Sequence, residues 1–320
     1  MSTESVAGAL RKARNGVGNA GSGRSPSAGK RKSNTSHARV FVLFALPSVI
    51  LLLLLNLYPV IYAGLQSLRN GDLISAGDFV GLANYASVLQ SPVFWHAAVF
   101  TAVFTIVGVF GSWAVGLSLG LLLRTRIPAN GLFKVLLLLP WVVPVVVSAA
   151  SWNWLVATPQ SPLPILFHAL GFGNVLFLAD PLLAQVMVCI FKVWISFPFM
   201  MMMMASALAS VDSNVYEASK VDGASSWQTF RQITLPMISR STYISWILMT
   251  IFCVNDFPTI FLLTGGGPVN ATQSLVVMAY ITVFQNFQTG PGVAIAFMMT
   301  IVLVIIATLL YRQIRKVNIE

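Results

Sequence analysis

The chain has very few charged residues. Only 9% of its 320 residues are charged, and only nine of those are acidic. Soluble globular domains carry about 25% charged residues, so this deficit excludes an ordinary water-soluble domain. In contrast, 57% of the residues are hydrophobic and the mean hydropathy is +0.81. The composition predicts a helical membrane protein with several spans of about 20 apolar residues each.

Residues that usually catalyse reactions or bind metals and nucleotides are also scarce. Both cysteines, Cys189 and Cys253, fall in apolar runs, so they are interpreted as small buried hydrophobes rather than a disulfide, metal site or nucleophile. The three histidines are scattered without metal-ligand spacing. No Gly-x-x-x-x-Gly-Lys-Ser/Thr loop for ATP is present. We therefore predict no catalytic residue, no metal site and no cofactor.

Six apolar stretches are long enough to cross a membrane. They are Val40–Leu65, Ala97–Leu123, Leu132–Val156, Leu183–Leu208, Tyr243–Leu263 and Gly292–Tyr311. The shorter apolar segment Leu163–Phe177 is interpreted as re-entrant or interfacial. The sequence thus predicts a membrane domain over residues 40–316.

Positive charge predicts the orientation of these spans. Eight of the nineteen lysines and arginines precede Val40. Three more follow the second span, three follow the fourth and three follow the sixth, whereas the opposite side has only Arg69. Since cytoplasmic loops carry excess lysine and arginine, we predict a multi-pass cell-membrane protein with both termini in the cytoplasm.

Residues 1–39 form a basic segment rich in Ser, Gly and Asn, which is typical of a disordered tail. Its charge suits either a cytoplasmic topology anchor or binding to anionic lipid or nucleic acid; we favour the anchor and predict no nucleic-acid partner.

The second predicted span carries small residues four positions apart: Gly108, Ser112, Gly116 and Gly120. This spacing places them on one helix face, where they allow a neighbouring backbone to approach closely. We expect this helix to pack tightly on another.

The segment 210–237 is longer than the other connections on its side and contains its own helix signals. Asp212 can cap a first helix that runs through Val221. Gly223 can end it, because glycine enters the left-handed region without steric cost. Ser225 and Gln228 match a capping box that starts a second helix, which we expect Pro236 to end. The pattern predicts a helix–turn–helix at the membrane surface.

Trp227 and Phe230 give the second helix an apolar face. An exposed aromatic pair outside the membrane indicates a protein partner. The alternative is that both rings pack on the protein's own helices.

The same segment resembles a known signature. It contains Glu217-Ala218-Ser219, then Gly223 after three residues, then Ile233 after nine more, and then Leu235-Pro236. These residues and spacings match the loop of binding-protein-dependent ABC importer permeases, with serine in place of the second alanine. Further motifs resemble the maltose-type sugar branch of that family: Phe79–Tyr85, Phe94-Trp95, Leu139–Trp141 with Pro144, Trp152–Trp154 and Thr264–Pro268.

This resemblance implies an all-α permease with six transmembrane helices and a cytoplasmic coupling helix, without enzyme activity of its own. It implies a second permease subunit, a dimer of ATP-binding subunits, an extracytoplasmic solute-binding protein and membrane lipid as partners. By similarity, the residues that dock on the ATPase are Tyr216, Glu217, Ala218, Ser219, Asp222, Gly223, Ala224 and Trp227.

Two charged residues lie well inside the predicted spans, Lys192 and Asp256, at similar depths below the same end. Since such residues are costly in lipid and usually functional, we expect them to face one polar cavity; alternatively, Lys192 snorkels to the headgroups. By similarity, Asn255 matches a position that contacts sugar. Tyr280 either stacks on a sugar or is an ordinary interface aromatic.

Other function classes remain open from the residues alone. A channel or a proton-relay enzyme could use Lys192 and Asp256, and a sensor subunit could bind an ATPase without transporting. The docking segment favours an ATP-driven importer of a sugar, polyol or sugar phosphate.

Overall fold

A computed structural model describes residues 35–124 and 130–317. Most of the predicted tail and Arg126 lie outside these ranges. The chain divides into two units, Met1–Tyr58 and Pro59–Glu320. The described part of the first unit is helical and belongs to the long helix α1, Thr35–Ser67. This helix begins inside the segment 1–39 that the sequence assigns to the tail.

Helices build the described part of the second unit, and no strand occurs in it. They are α2 Ala83–Gln90, α3 Pro92–Leu122, α4 Asn130–Val142, α5 Val145–Val156, α6 Pro162–Ala169, α7 Pro181–Ala209, α8 Ser213–Val221, α9 Ser226–Val254, α10 Pro258–Thr264, α11 Leu275–Gln285 and α12 Thr289–Val317.

Across residues 35–124 and 130–317, five helices are long and apolar enough to cross a membrane: α1, α3, α7, α9 and α12. The third predicted span is a bent pair of helices, α4 and α5, which meet at an angle of 91°; counted as one span, this pair is the sixth. Pro144 separates them in an extended conformation, with ψ at 134°. Because proline lacks an N–H and restricts the residue before it, a break at this position is physically favoured.

The second helix of the surface segment does not end at Pro236, so that prediction is wrong. α9 continues through Pro236 to Val254, with a π-helical stretch at Thr229–Thr234. The wider turn changes the hydrogen-bond register just before the proline, and Pro236 then lies in the first turn of the following α-helical stretch. In that position its missing N–H costs little.

The fifth predicted span contains a break at Asn255–Phe257. α9 ends at Val254 and α10 begins at Pro258. The Asp256 Oδ1 atom accepts a hydrogen bond from the Thr259 backbone N–H at 3.1 Å, which satisfies a free donor at the start of α10. Two polar residues therefore occupy a non-helical turn between two apolar helices.

The core of the second unit lies where α3, α7 and α9 meet. Its largest fully buried side chains include Phe104, Phe191, Met200 and Met249. The small-residue face of α3 packs against α7: a Cβ atom added at Gly116 would lie 2.6 Å from the Met201 backbone nitrogen. The close approach of these two helices fits the predicted role of the small residues.

The close approach at Gly116 predicts that alanine substitutions at Gly116 and Gly120 have different effects on thermal stability. Gly116→Ala would push a methyl group into the α7 backbone, and such overpacking typically costs about 1–3 kcal/mol. At Gly120, one turn away, the nearest atom to the added Cβ is 3.5 Å away, an ordinary contact. We expect Gly116→Ala to lower the thermal unfolding midpoint and Gly120→Ala to leave it within error. Equal midpoints would contradict this packing.

Candidate functional site: a docking helix and a buried ion pair

The turn after α8 is defined by backbone hydrogen bonds of the Schellman type. At the start of α8, the Asp212 side chain accepts from the Asn214 N–H at 2.9 Å. At its end, the Gly223 N–H donates to the Lys220 carbonyl and the Ala224 N–H donates to the Ser219 carbonyl. Gly223 has φ +74°, as its predicted role as a helix stop requires.

The next helix starts with the predicted capping box. The Gln228 N–H donates to Ser225 Oγ, and the Ser225 N–H donates to Gln228 Oε1 at 2.8 Å. Each residue satisfies a backbone donor of the other, so two donors at the start of α9 are bonded within the segment itself. α8, the turn and the start of α9, residues 213–228, are named the docking turn after the role that the sequence resemblance implies.

One face of the docking turn is open. Val221 is 87% exposed and Trp227 is 66% exposed, although both are large apolar side chains. Glu217 is also exposed and forms no ion pair with any described residue. Exposed apolar side chains beside an unpaired carboxylate are typical of a protein-binding surface.

The other face of the docking turn packs on the helix bundle. Ser219 is buried, and its hydroxyl donates to the Tyr216 carbonyl. Tyr216 and Phe230 are partly buried against a cluster formed by α3, α7 and α9, which includes Leu117, Leu208 and Ile238. Trp227 lies 5.7 Å from Phe230, centroid to centroid. The aromatic pair is thus divided: Phe230 packs inward, while Trp227 remains exposed.

Lys192 and Asp256 form a buried ion pair. The Lys192 Nζ atom lies 2.6 Å from Asp256 Oδ2, and the two side chains are 6% and 8% exposed. α7 provides the lysine, and the turn between α9 and α10 provides the aspartate. Gly108 of α3 makes room for this pair, because an added Cβ would lie 3.2 Å from Lys192 Cγ.

The ion pair lies at the edge of a cavity of about 450 Å³. Asn255 also lines it and donates from Nδ2 to the Ile251 carbonyl at 2.9 Å, which leaves its Oδ1 atom as an acceptor. Ser196 and Thr259 add hydroxyl groups to its lining, and Trp141 and Phe252 add aromatic rings. The cavity therefore combines hydroxyl, amide and indole groups with a paired charge.

Tyr280 does not line this cavity. It lies in α11 and packs on Phe257 at 4.6 Å and on Phe284 at 5.1 Å between ring centroids. The structure brings Lys192, Asn255 and Asp256 together and places Tyr280 in an aromatic cluster. Sequence reasoning missed the roles of Ser196 and Thr259 as lining residues, since their hydroxyls carry no signal in an apolar run.

Comparison with known proteins identifies relatives over most of the chain. Residues 112–318 match the family described as binding-protein-dependent transport system inner membrane component. The trehalose/maltose transport system permease protein MalF of Thermococcus litoralis is 33% identical over 280 residues, covering 87% of this chain and 94% of that protein. The trehalose transport system permease protein SugA of Mycobacterium tuberculosis is 30% identical, covering 82% and 85% respectively.

A solved structure shares the fold. A chain of a bacterial ABC transporter involved in the import of the acidic polysaccharide alginate superposes with a TM-score of 0.75 at 20% identity, covering 88% of this chain and 98% of that chain. Together, the family match and these relatives show that the chain is a multi-pass inner-membrane protein and belongs to the binding-protein-dependent transport system inner membrane component family of ABC importer permeases.

Proposed function

We propose that the chain is one permease subunit of an ATP-driven importer for a neutral sugar. The observation that carries this proposal is the docking turn, whose helices are capped by Asp212 and by Ser225 with Gln228 while Val221 and Trp227 remain exposed. A channel or a self-contained enzyme has no need of such a surface. The relatives named for trehalose and maltose support a sugar as the substrate class.

The docking turn binds a separate ATPase subunit in this proposal. Its open face carries the carboxylate of Glu217, which pairs with no cation in residues 35–124 and 130–317 and suits a basic residue on the partner. Tyr216 on its inner face, together with Phe230 just after the turn, packs on a cluster from α3, α7 and α9, so displacement of the turn would move these helices. Closure of two ATPase subunits would thus drive alternating access.

The proposed orientation follows from charge and from the docking turn. Both termini and α8 lie in the cytoplasm, which agrees with the excess of lysine and arginine on that side. A second permease subunit completes the pathway, and a solute-binding protein delivers the sugar from outside, as the family description implies.

The ion pair supports a neutral substrate. Both oxygens of Asp256 are engaged, by Lys192 and by the Thr259 N–H, whereas the ammonium of Lys192 retains further donors. Asn255 adds an acceptor. A sugar hydroxyl can accept a hydrogen bond from the Lys192 ammonium and donate one to Asn255 Oδ1 without changing the charge of the site. An anionic sugar would instead compete with Asp256 for Lys192.

Uptake by proteoliposomes that contain the permease pair, the ATPase and the binding protein tests this function. We expect accumulation of a neutral disaccharide such as trehalose or maltose that requires both ATP and the binding protein. A disaccharide that carries a uronate group should be taken up more slowly. Flux without ATP, or a proton current, would instead favour a channel or a proton relay.

A further inference from the structure

Arg124 contacts the docking turn from a position just after the end of α3. It lies two residues after α3 ends at Leu122, and its guanidinium carbon is 4.3 Å from the centre of the Tyr216 ring. Arginine at this distance from an aromatic face is attracted by the ring quadrupole. The contact connects the end of a membrane-spanning helix to the residue that precedes Glu217.

Tyr216 is held by its ring rather than by its hydroxyl. The hydroxyl oxygen is buried and has no hydrogen-bond partner in the described part of the chain. The ring packs against the cluster that contains Leu117 and Leu208 and is covered by Arg124. A buried hydroxyl without a partner costs free energy, so packing and the cation–π contact must stabilise this position.

The helix α3, which ends just before Arg124, also contacts the ion pair. Gly108 of α3 lies against the Lys192 side chain, and the same face approaches the α7 backbone at Gly116. α3 therefore has the docking turn near one end and the buried pair farther along its length. If Tyr216 moves and Arg124 moves with it, α3 should shift as well, and α3 packs on Lys192 through Gly108.

We propose that Arg124 is a positioning residue, which couples movement of the docking turn to α3 through its contact with Tyr216. This inference rests on the proposed importer function. The guanidinium does not bind sugar or the ATPase. It holds the end of α3 against the Tyr216 ring. When the docking turn moves, α3 therefore moves with it, and the turn does not simply bend by itself.

The first test compares Arg124→Gln with Arg312→Gln in the reconstituted complex. Arg312 is an exposed arginine on α12, so its replacement controls for the loss of one positive charge. We expect Arg124→Gln to assemble and hydrolyse ATP at the wild-type basal rate while sugar imported per ATP falls about two- to fivefold, the range of a cation–π contact at an exposed site. Arg124→Lys should recover part of this ratio, and Arg312→Gln should keep it.

The second test is a double-mutant cycle, because it separates this contact from a general structural role. The loss caused by Arg124→Gln should persist in a Tyr216→Phe background, where the ring remains. It should disappear in a Tyr216→Leu background, where the ring is absent. An equal loss in both backgrounds, or an unchanged import-to-ATP ratio in Arg124→Gln, would overturn the inference. Failure of the wild-type complex to import sugar would refute the proposed function instead.

Discussion

Gly223→Asp should abolish sugar uptake while the protein still folds and inserts into the membrane. Gly223 has φ +74°, and nothing lies within 4 Å of the position that a Cβ atom would occupy. Aspartate is among the residues that enter this backbone region most readily, so α8 should still form. The new carboxylate would lie beside Asp222 at the docking surface. An unpaired charge buried there costs about 3–5 kcal/mol, which weakens ATPase binding at least about a hundredfold.

Gly171→Asp is a matched control for the backbone effect. Gly171 has φ +89° at the end of α6, again with nothing within 4 Å of an added Cβ. The Gly171 and Phe172 N–H groups donate to the His168 and Phe167 carbonyls, the same pattern as after α8. Copurification of the ATPase and uptake should be lost only in Gly223→Asp. Wild-type uptake by Gly223→Asp, or equal loss in both variants, would contradict a docking role.

The docking turn could be predicted from sequence because its signals are local. Asp212, Gly223, Ser225 and Gln228 act within a few residues of their own positions, through caps that require particular side chains. Such signals do not depend on the rest of the fold. The helix–turn–helix therefore has the predicted start, stop and restart.

The continuation of α9 through Pro236 could not be predicted in the same way. Proline usually ends a helix, and whether a π-helical stretch forms depends on packing. Here Thr234 and Ile238, on either side of the proline, are buried in the bundle. Tertiary contacts hold the chain helical where local preference favours an end.

The helix break at Asn255–Phe257 could not be predicted from hydropathy either. Hydropathy records Tyr243–Leu263 as one apolar stretch, because the few polar residues in it change the average little. The similar depth of Lys192 and Asp256 predicts a shared polar cavity, and in the structure both line one. That Asp256 also caps α10 depends on the path of the backbone. The contact between Arg124 and Tyr216, 92 residues apart, has no local signal at all.

Asp256→Asn should strongly destabilise the protein, because it leaves the Lys192 ammonium buried without its counter-charge. Asparagine has nearly the same shape and retains an oxygen that can accept from the Thr259 N–H, so the substitution mainly removes the charge. Breaking a buried ion pair by removing one partner costs about 3–5 kcal/mol. Thermal unfolding of the purified complex should show a midpoint at least about 5 °C lower.

The double variant Lys192→Met/Asp256→Asn tests whether an uncompensated charge causes this loss. Methionine fills a similar apolar volume beside Gly108 and Phe104 and carries no charge. Because replacement of a whole buried ion pair is often neutral or stabilising, the double variant should recover most of the midpoint lost in Asp256→Asn. It should still transport poorly, since the donors that face the cavity are gone. A double variant less stable than Asp256→Asn would show that Lys192 stabilises the bundle by packing, independently of its charge.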